Sequence, residues 1–147
     1  MNKMGKYRKA VFVVVYRKEK NKILYLVLKR KLHWIGWEFP KGGVEKKENL
    51  FKTVKREVFE ESGHKTIEIK RFAVKGKYKY NEAARKDRKF DGQTYTLFSA
   101  QVSGGRTKID RIEHSKFRWL EFEKAIKILT YNDQKKCLKI ANRFLKK

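Results

Sequence analysis

The chain has 147 residues, of which 40% are hydrophobic and 14% aromatic, with one cysteine and a formal net charge of +24 from 40 Lys and Arg against 16 Asp and Glu. This excludes a disordered tail and an internal disulfide, and the length is that of one domain covering 1–147. No stretch approaches the ~20 apolar residues of a membrane span, and Ala10 to Tyr16 is too short for a secretory signal, so a soluble cytoplasmic protein with no membrane partner is expected.

In chain order, Ala10 to Tyr16 and Lys22 to Leu28 are β-branched or apolar runs flanking the charged turn Arg17 to Asn21, which predicts a hairpin of buried strands. Trp34 to Pro40 follows and ends in the only proline; the residue before a proline avoids the helical region, so Phe39 is extended and a loop is expected after it. From Asn49 the period changes. Leu50, Val54 and Val58 recur at helical spacing, with Asn49 placed to cap the start and Gly63 to close the end. Residues 65–80 alternate as a strand, Asn81 to Lys89 reads as a basic loop, and Thr94 to Val102 is a strand ending at the Ser103-Gly104-Gly105 turn. Lys116 to Phe122 is a short strand, and Glu123 to Leu129 and Asp133 to Leu145 are helices, the latter with an apolar stripe that includes Cys137. The elements predict an α/β (α+β) domain, a mixed sheet inside an α/β/α sandwich.

The charge favours polyanions, but the lysines are scattered along the whole chain, so charge by itself names no substrate. The carboxylates say more. Glu57, Glu60 and Glu61 fall at i, i+3 and i+4 on one predicted helix, where three anions would crowd into one small volume. Crowded carboxylates repel and raise each other's pKa unless a cation joins them, and a hard oxygen-binding divalent ion, Mg²⁺ first, answers that need. His33, His64 and His114 lack metal-ligand spacing, and Cys137 reads as a core residue.

Gly42-x5-Glu48-x7-Arg56-Glu57-Val58-x-Glu60-Glu61-x-Gly63 resembles the Nudix box at every fixed charged and glycine position, with His64 where the family has an aliphatic residue. The resemblance implies the Nudix fold and a hydrolase of phosphoanhydride bonds in nucleoside polyphosphates. It makes Glu60 and Glu61 metal ligands and Glu57 the general base and a further ligand, with Arg56 and Glu48 pairing to brace the loop. Gly42 and Gly43 would let backbone approach phosphate, and Lys41 would offer its carbonyl to the metal and its side chain to phosphate.

Glu113-His114-Ser115-Lys116-Phe117-Arg118-Trp119, together with Pro40-Lys41-Gly42, is similar to the bis(5′-nucleosyl)-tetraphosphatases. That similarity implies asymmetric cleavage of diadenosine tetraphosphate to ATP and AMP, with Glu113 as a further metal ligand. Tyr95 and Phe117 become candidates for base stacking. Gly92-Gln93 and Trp37-x-Phe39-Pro40 also resemble the RNA 5′-pyrophosphohydrolase branch, so Gln93 joins the substrate-binding set and an RNA 5′ end is a second candidate substrate. Cleavage of (d)NTPs is a third reading. A non-enzymatic nucleic-acid binder is disfavoured, because clustered anions repel phosphate. The sequence carries no signal of oligomeric state.

Overall fold

The computed structural model describes residues 6–146. Its centre is β1 (Tyr7–Glu19), in which Ala10 to Tyr16 are all buried, as a strand covered on both faces requires. β1 turns at Lys20, in the left-handed region, into antiparallel β2 (Lys22–Arg30), with Tyr16 opposite Tyr25. β3 (Gly36–Glu38) pairs with β2. β4 (Lys41–Gly43) pairs with β1 where a loop was expected after Pro40.

Helix α1 (Leu50–Ser62) starts at Asn49, whose side chain accepts from the Lys52 N–H, and ends at left-handed Gly63. β5 (Thr66–Lys79) leads to α2 (Glu82–Arg88), and β6 (Gly92–Val102) follows. Residues 81–89, expected as a loop, are therefore a short helix. Asn81 caps it, its Oδ1 accepting from the Ala84 N–H at 2.9 Å, and Lys89 closes it with φ 60°. A polar segment with one buried residue, Ala84, has too little apolar periodicity to show this in sequence. β7 (His114–Leu120), α3 (Phe122–Ile128) and α4 (Asn132–Leu145) complete the chain, the strand beginning two residues earlier than its composition predicts.

The sheet order is β3-β2-β1-β6-β5, with β4 on β1 and β7 on β2. β1 and β6 run parallel and the other pairs antiparallel, so the sheet is mixed. Strand alternation divides the core in two. Val11, Val13 and Val15 face Val54 and Val58 of α1, while Phe12, Val14 and Tyr16 face Ala125 of α3, Leu129 at its end, and Leu138 and Ala141 of α4. Cys137 is buried in the second layer, where burial pushes its thiol up to about 11. No helix among the described residues is long and apolar enough to cross a membrane.

Candidate active site

The loop before α1 is tied to the helix by one guanidinium. Arg56 Nε and Nη2 donate to the two oxygens of Glu48 at 2.7 and 3.0 Å, and Nη2 also donates to the Gly43 carbonyl at 2.8 Å. The same arginine reaches along its own helix, Nη1 donating to Glu57 at 2.7 Å and to Glu60 at 3.3 Å. The Arg56 hydrogen bonds hold the Glu48 carboxyl at about 2. A planar five-donor fork is what lets one side chain do all of this.

Glu57 and Glu61 face inward and Glu60 does not. Consecutive helical residues stand about 100° apart, so Glu60 and Glu61 cannot both point at the loop. Glu60 is 53% exposed and held by Arg56, whereas Glu57 and Glu61 are buried. The three carboxylates therefore do not share one small volume, and among the described residues no three acidic, His or Cys side chains form a ready metal cage.

Burial pushes the Glu57 carboxyl up to about 7 against the pull of Arg56, with Glu60 and Glu113 adding to the rise. Glu57 lies directly on Gly42: a Cβ there would stand 1.9 Å from the Glu57 carboxyl carbon. Glu61 is also raised, by burial first and then by Glu57, Glu113 and Glu38. Its Oε2 accepts the Lys41 N–H at 3.0 Å, and its Oε1 is buried with no hydrogen-bond partner. Thus the backbone N–H of Lys41 meets the box glutamate.

Behind these carboxylates lies a buried charged cluster with no counterpart in the sequence reading. Glu38 is fully buried; its Oε2 meets His114 Nε2 at 2.7 Å and Arg30 Nη1 at 3.3 Å, and its Oε1 lies 3.3 Å from Lys41 Nζ. Burial alone would raise Glu38, but Lys41, His114 and Arg30 outweigh it and lower the carboxyl to about 2. Burial likewise opposes the Lys41 ammonium, and Glu38 with Tyr78 more than reverses this, raising its pKa. Arg30 Nη1 also donates to Glu113 Oε1 at 3.2 Å, and Arg88 lies 3.5 Å from the same oxygen. These partners come from five separate segments, so local periodicity could not reveal them.

Part of this arrangement borders a cavity of about 620 Å³. Lys41, Gly42, Glu57, Gln93, Tyr95 and Glu113 line it, as does Arg88 of the basic segment 81–89, together with Arg8, Arg30, Trp34, Tyr78, Tyr80 and Tyr131, which were not singled out in sequence. Lys41 Nζ donates to Tyr78 Oη at 2.8 Å and stands 5.1 Å from the Tyr78 ring centre and 6.0 Å from that of Trp34. Trp34 in turn packs edge-on to Tyr131 at 4.9 Å. Gln93 Oε1 accepts from Tyr80 Oη at 2.7 Å, and Tyr95 packs edge-on to Phe12 at 5.5 Å.

Glu48, Arg56, Glu60, Glu61 and Gly43 do not line the cavity, and neither does Phe117. Phe117 shares a face of β7 with Trp119, which packs against the α1-side core, whereas Phe12 and Tyr95 belong to the opposite face. Phe117 is therefore no stacking partner in this cavity. His64 is a core group: its Nε2 is 2.8 Å from Thr107 Oγ1 and its ring is edge-on to Trp119.

The NUDIX domain model matches residues 6–139, and the chain belongs to the Nudix family. Among solved structures it is similar to a Caenorhabditis elegans Ap4A hydrolase in a binary complex, at 25% identity over 94% of this chain and 97% of that one, with a TM-score of 0.76. A NUDIX hydrolase from Listeria monocytogenes (24% identity, 93% of each chain, TM-score 0.78) and the NUDIX domain of Shewanella oneidensis NrtR with ADP ribose (16%, 97% and 90%, TM-score 0.76) share the fold. Comparison with curated protein sequences found no match. The chain is a Nudix hydrolase acting on nucleoside polyphosphates.

Proposed function

We propose that the chain hydrolyses dinucleoside tetraphosphates, cutting diadenosine tetraphosphate asymmetrically to ATP and AMP with Mg²⁺ or Mn²⁺, in the cytosol. The observation carrying this reading is the disposition of the cavity walls. Carboxylates stand at one side, and the Lys41 ammonium lies between two aromatic groups, Tyr78 with Tyr80 and Trp34 with Tyr131. A polyphosphate with a planar base at each end complements a cation flanked by aromatic walls.

The carboxylates suit a hard divalent ion. Glu61 Oε1 is buried without a donor, and the like charge of Glu113 helps raise both Glu57 and Glu61, which a bound cation would reverse. Glu57, Glu61 and Glu113 would hold it, with Glu60 turned outward onto Arg56; when bound, it neutralises phosphate oxygens and makes the phosphorus more electrophilic. Glu57, with a carboxyl near 7, takes the proton of the attacking water. The water oxygen bonds to phosphorus, the anhydride P–O bond breaks, and the leaving phosphate keeps the electron pair. Arg56 orients Glu57, and Lys41 with Arg30 offsets the charge gathering on the phosphates.

A second reading, removal of pyrophosphate from RNA 5′ ends, is favoured by α2. Arg88 lines the cavity while Arg85 and Lys86 of the same short helix lie exposed outside it, adding positive charge that a longer polyanion could meet. Diadenosine tetraphosphate, 5′-triphosphorylated RNA and dNTPs assayed in parallel with Mg²⁺ separate the readings. The tetraphosphate is expected to have the highest kcat/KM, with ATP and AMP as products, and Glu57→Gln to lose activity by orders of magnitude. A tenfold advantage for RNA would overturn the first reading.

A further inference from the structure

Most cations lining the cavity are already satisfied. Arg30 is shared between Glu38 and Glu113, Lys41 between Glu38 and Tyr78, and Arg88 lies against Glu113 and the Tyr80 ring. Arg8 is the exception among the arginines: half-buried and lining the cavity, it makes no ion pair and no side-chain hydrogen bond with the described residues. Lys79, the other such cation, is exposed on the rim.

Arg8 is also held in place. Its guanidinium lies on the backbone of Gly43, where a Cβ would stand 1.9 Å from Nε and 2.2 Å from Cζ. Gly42, the preceding residue, carries the Glu57 carboxylate in the same manner. Gly42 pairs with Val11, on the α1-side layer, and Gly43 with Ala10, in register with Phe12 on the cavity side. Neighbouring residues of a strand face opposite ways, so the glycine pair presents a carboxylate on one side and a guanidinium on the other. The two Cα atoms they rest on are ~3.8 Å apart. Gln93 stands beside Arg8 on β6, on the same face of the sheet, with its oxygen taken by Tyr80.

An unpaired guanidinium with five donors, fixed in the cavity lining across the glycine pair from a general base, is a receptor for an oxyanion that accepts two hydrogen bonds at once. We infer that Arg8 is a phosphate-binding residue, clamping two oxygens of the polyphosphate beside the one that is cleaved. The clamp deepens the proposed function, since it supplies the contact by which phosphate-chain length is sensed. It also gives Gly43 a purpose: any side chain there displaces the guanidinium.

The test separates the clamp from the nucleotide reading by using inorganic tripolyphosphate as probe, with no nucleoside, in calorimetric titration at about 0.2 M salt to suppress diffuse binding. Wild type, Arg8→Ala, Arg8→Lys and the charge-matched control Lys22→Ala are compared, Lys22 being exposed at the far hairpin. Arg8→Ala is expected to weaken tripolyphosphate binding tenfold or more, Arg8→Lys to recover it only in part, and Lys22→Ala to stay within twofold of wild type. With ATP and AMP as probes, the loss in Arg8→Ala is expected to be several-fold larger for ATP. The inference is overturned if wild type does not bind tripolyphosphate, if Arg8→Ala binds it within twofold of wild type, or if Lys22→Ala loses as much. Loss of binding in Arg8→Ala from a protein that cleaves no nucleotide in the substrate panel would support the clamp while refuting the tetraphosphatase reading.

Discussion

Replacing Gly42 by alanine tests the placement of the general base without touching its chemistry. The added Cβ would stand 1.9 Å from the Glu57 carboxyl carbon and 2.1 and 2.3 Å from its oxygens. Ordinary contact begins near ~3.5 Å, so the carboxylate must move by more than an ångström. Gly42 does not occupy the left-handed region, so the backbone accepts alanine and the whole effect falls on Glu57. Displacement removes the 2.7 Å bond from Arg56, a charge-assisted hydrogen bond whose loss costs about 1.5–3 kcal/mol. For a chain of this length that lowers Tm by roughly 5–10 °C. Misplacing a catalytic group by about 1 Å costs about 100-fold in rate. The expected result is a fall in kcat of that order with KM changed little, since Glu57 serves the water and not the bases. Gly104→Ala is the control, because nothing lies within 4 Å of its Cβ position. Gly42→Ala with kcat within threefold of wild type and an unchanged Tm would refute the placement of Glu57 as base.

The raised Glu57 carboxyl makes metal binding legible in stability. A folded-state pKa above the unfolded one means that the native state holds the extra proton, so its contribution is present below the unfolded value near 4.5 and is lost as pH rises through about 7. Metal-free protein is expected to lose Tm from pH 5 to pH 8, and excess Mg²⁺ to restore it more at pH 8; an equal Mg²⁺ effect at both, or no loss of slope in Glu57→Gln, counts against the carboxylate site. Glu38 and Glu48 act in the opposite sense, their contribution being present above about 4.5 and lost as pH falls towards 2, so acid unfolding is expected in that window. Trp34→Ala is expected to raise KM for diadenosine tetraphosphate about tenfold and Phe117→Ala to leave it within twofold; steady-state kinetics showing the reverse would reassign the stacking wall.

The parts of the site readable from sequence are those built within one helix turn or one loop. Arg56, Glu57 and Glu60 touch because they are one to four residues apart on a helix, and the Asn49 cap and Gly63 terminus follow from local backbone preferences. Glu48 joined them through the spacing of the box, a pattern that stands for a loop geometry. Periodicity even predicted that Leu50, Val54 and Val58 would face the core, and they pack there.

The rest needed the sheet. Glu38 meets His114, and Arg30 meets Glu113, only because β7 and β3 flank β2, bringing residues 76 and 83 positions apart within hydrogen-bond distance. Nothing local marks such partners, because the low-dielectric interior that forces them together exists only after folding. The face of a strand is likewise a matter of register: Phe117 and Tyr95 are both aromatic strand residues, and only the pairing of β7 with β2 and of β6 with β1 puts one outside the cavity and the other in its wall. The sequence alone thus placed the carboxylates and their arginine at helical spacing, and the resemblance of that box to the Nudix pattern pointed to a hydrolase. The tertiary structure decided which of them face inward, what surrounds them and which cations stay unpaired among the described residues, since burial and pairing belong to the assembled sheet.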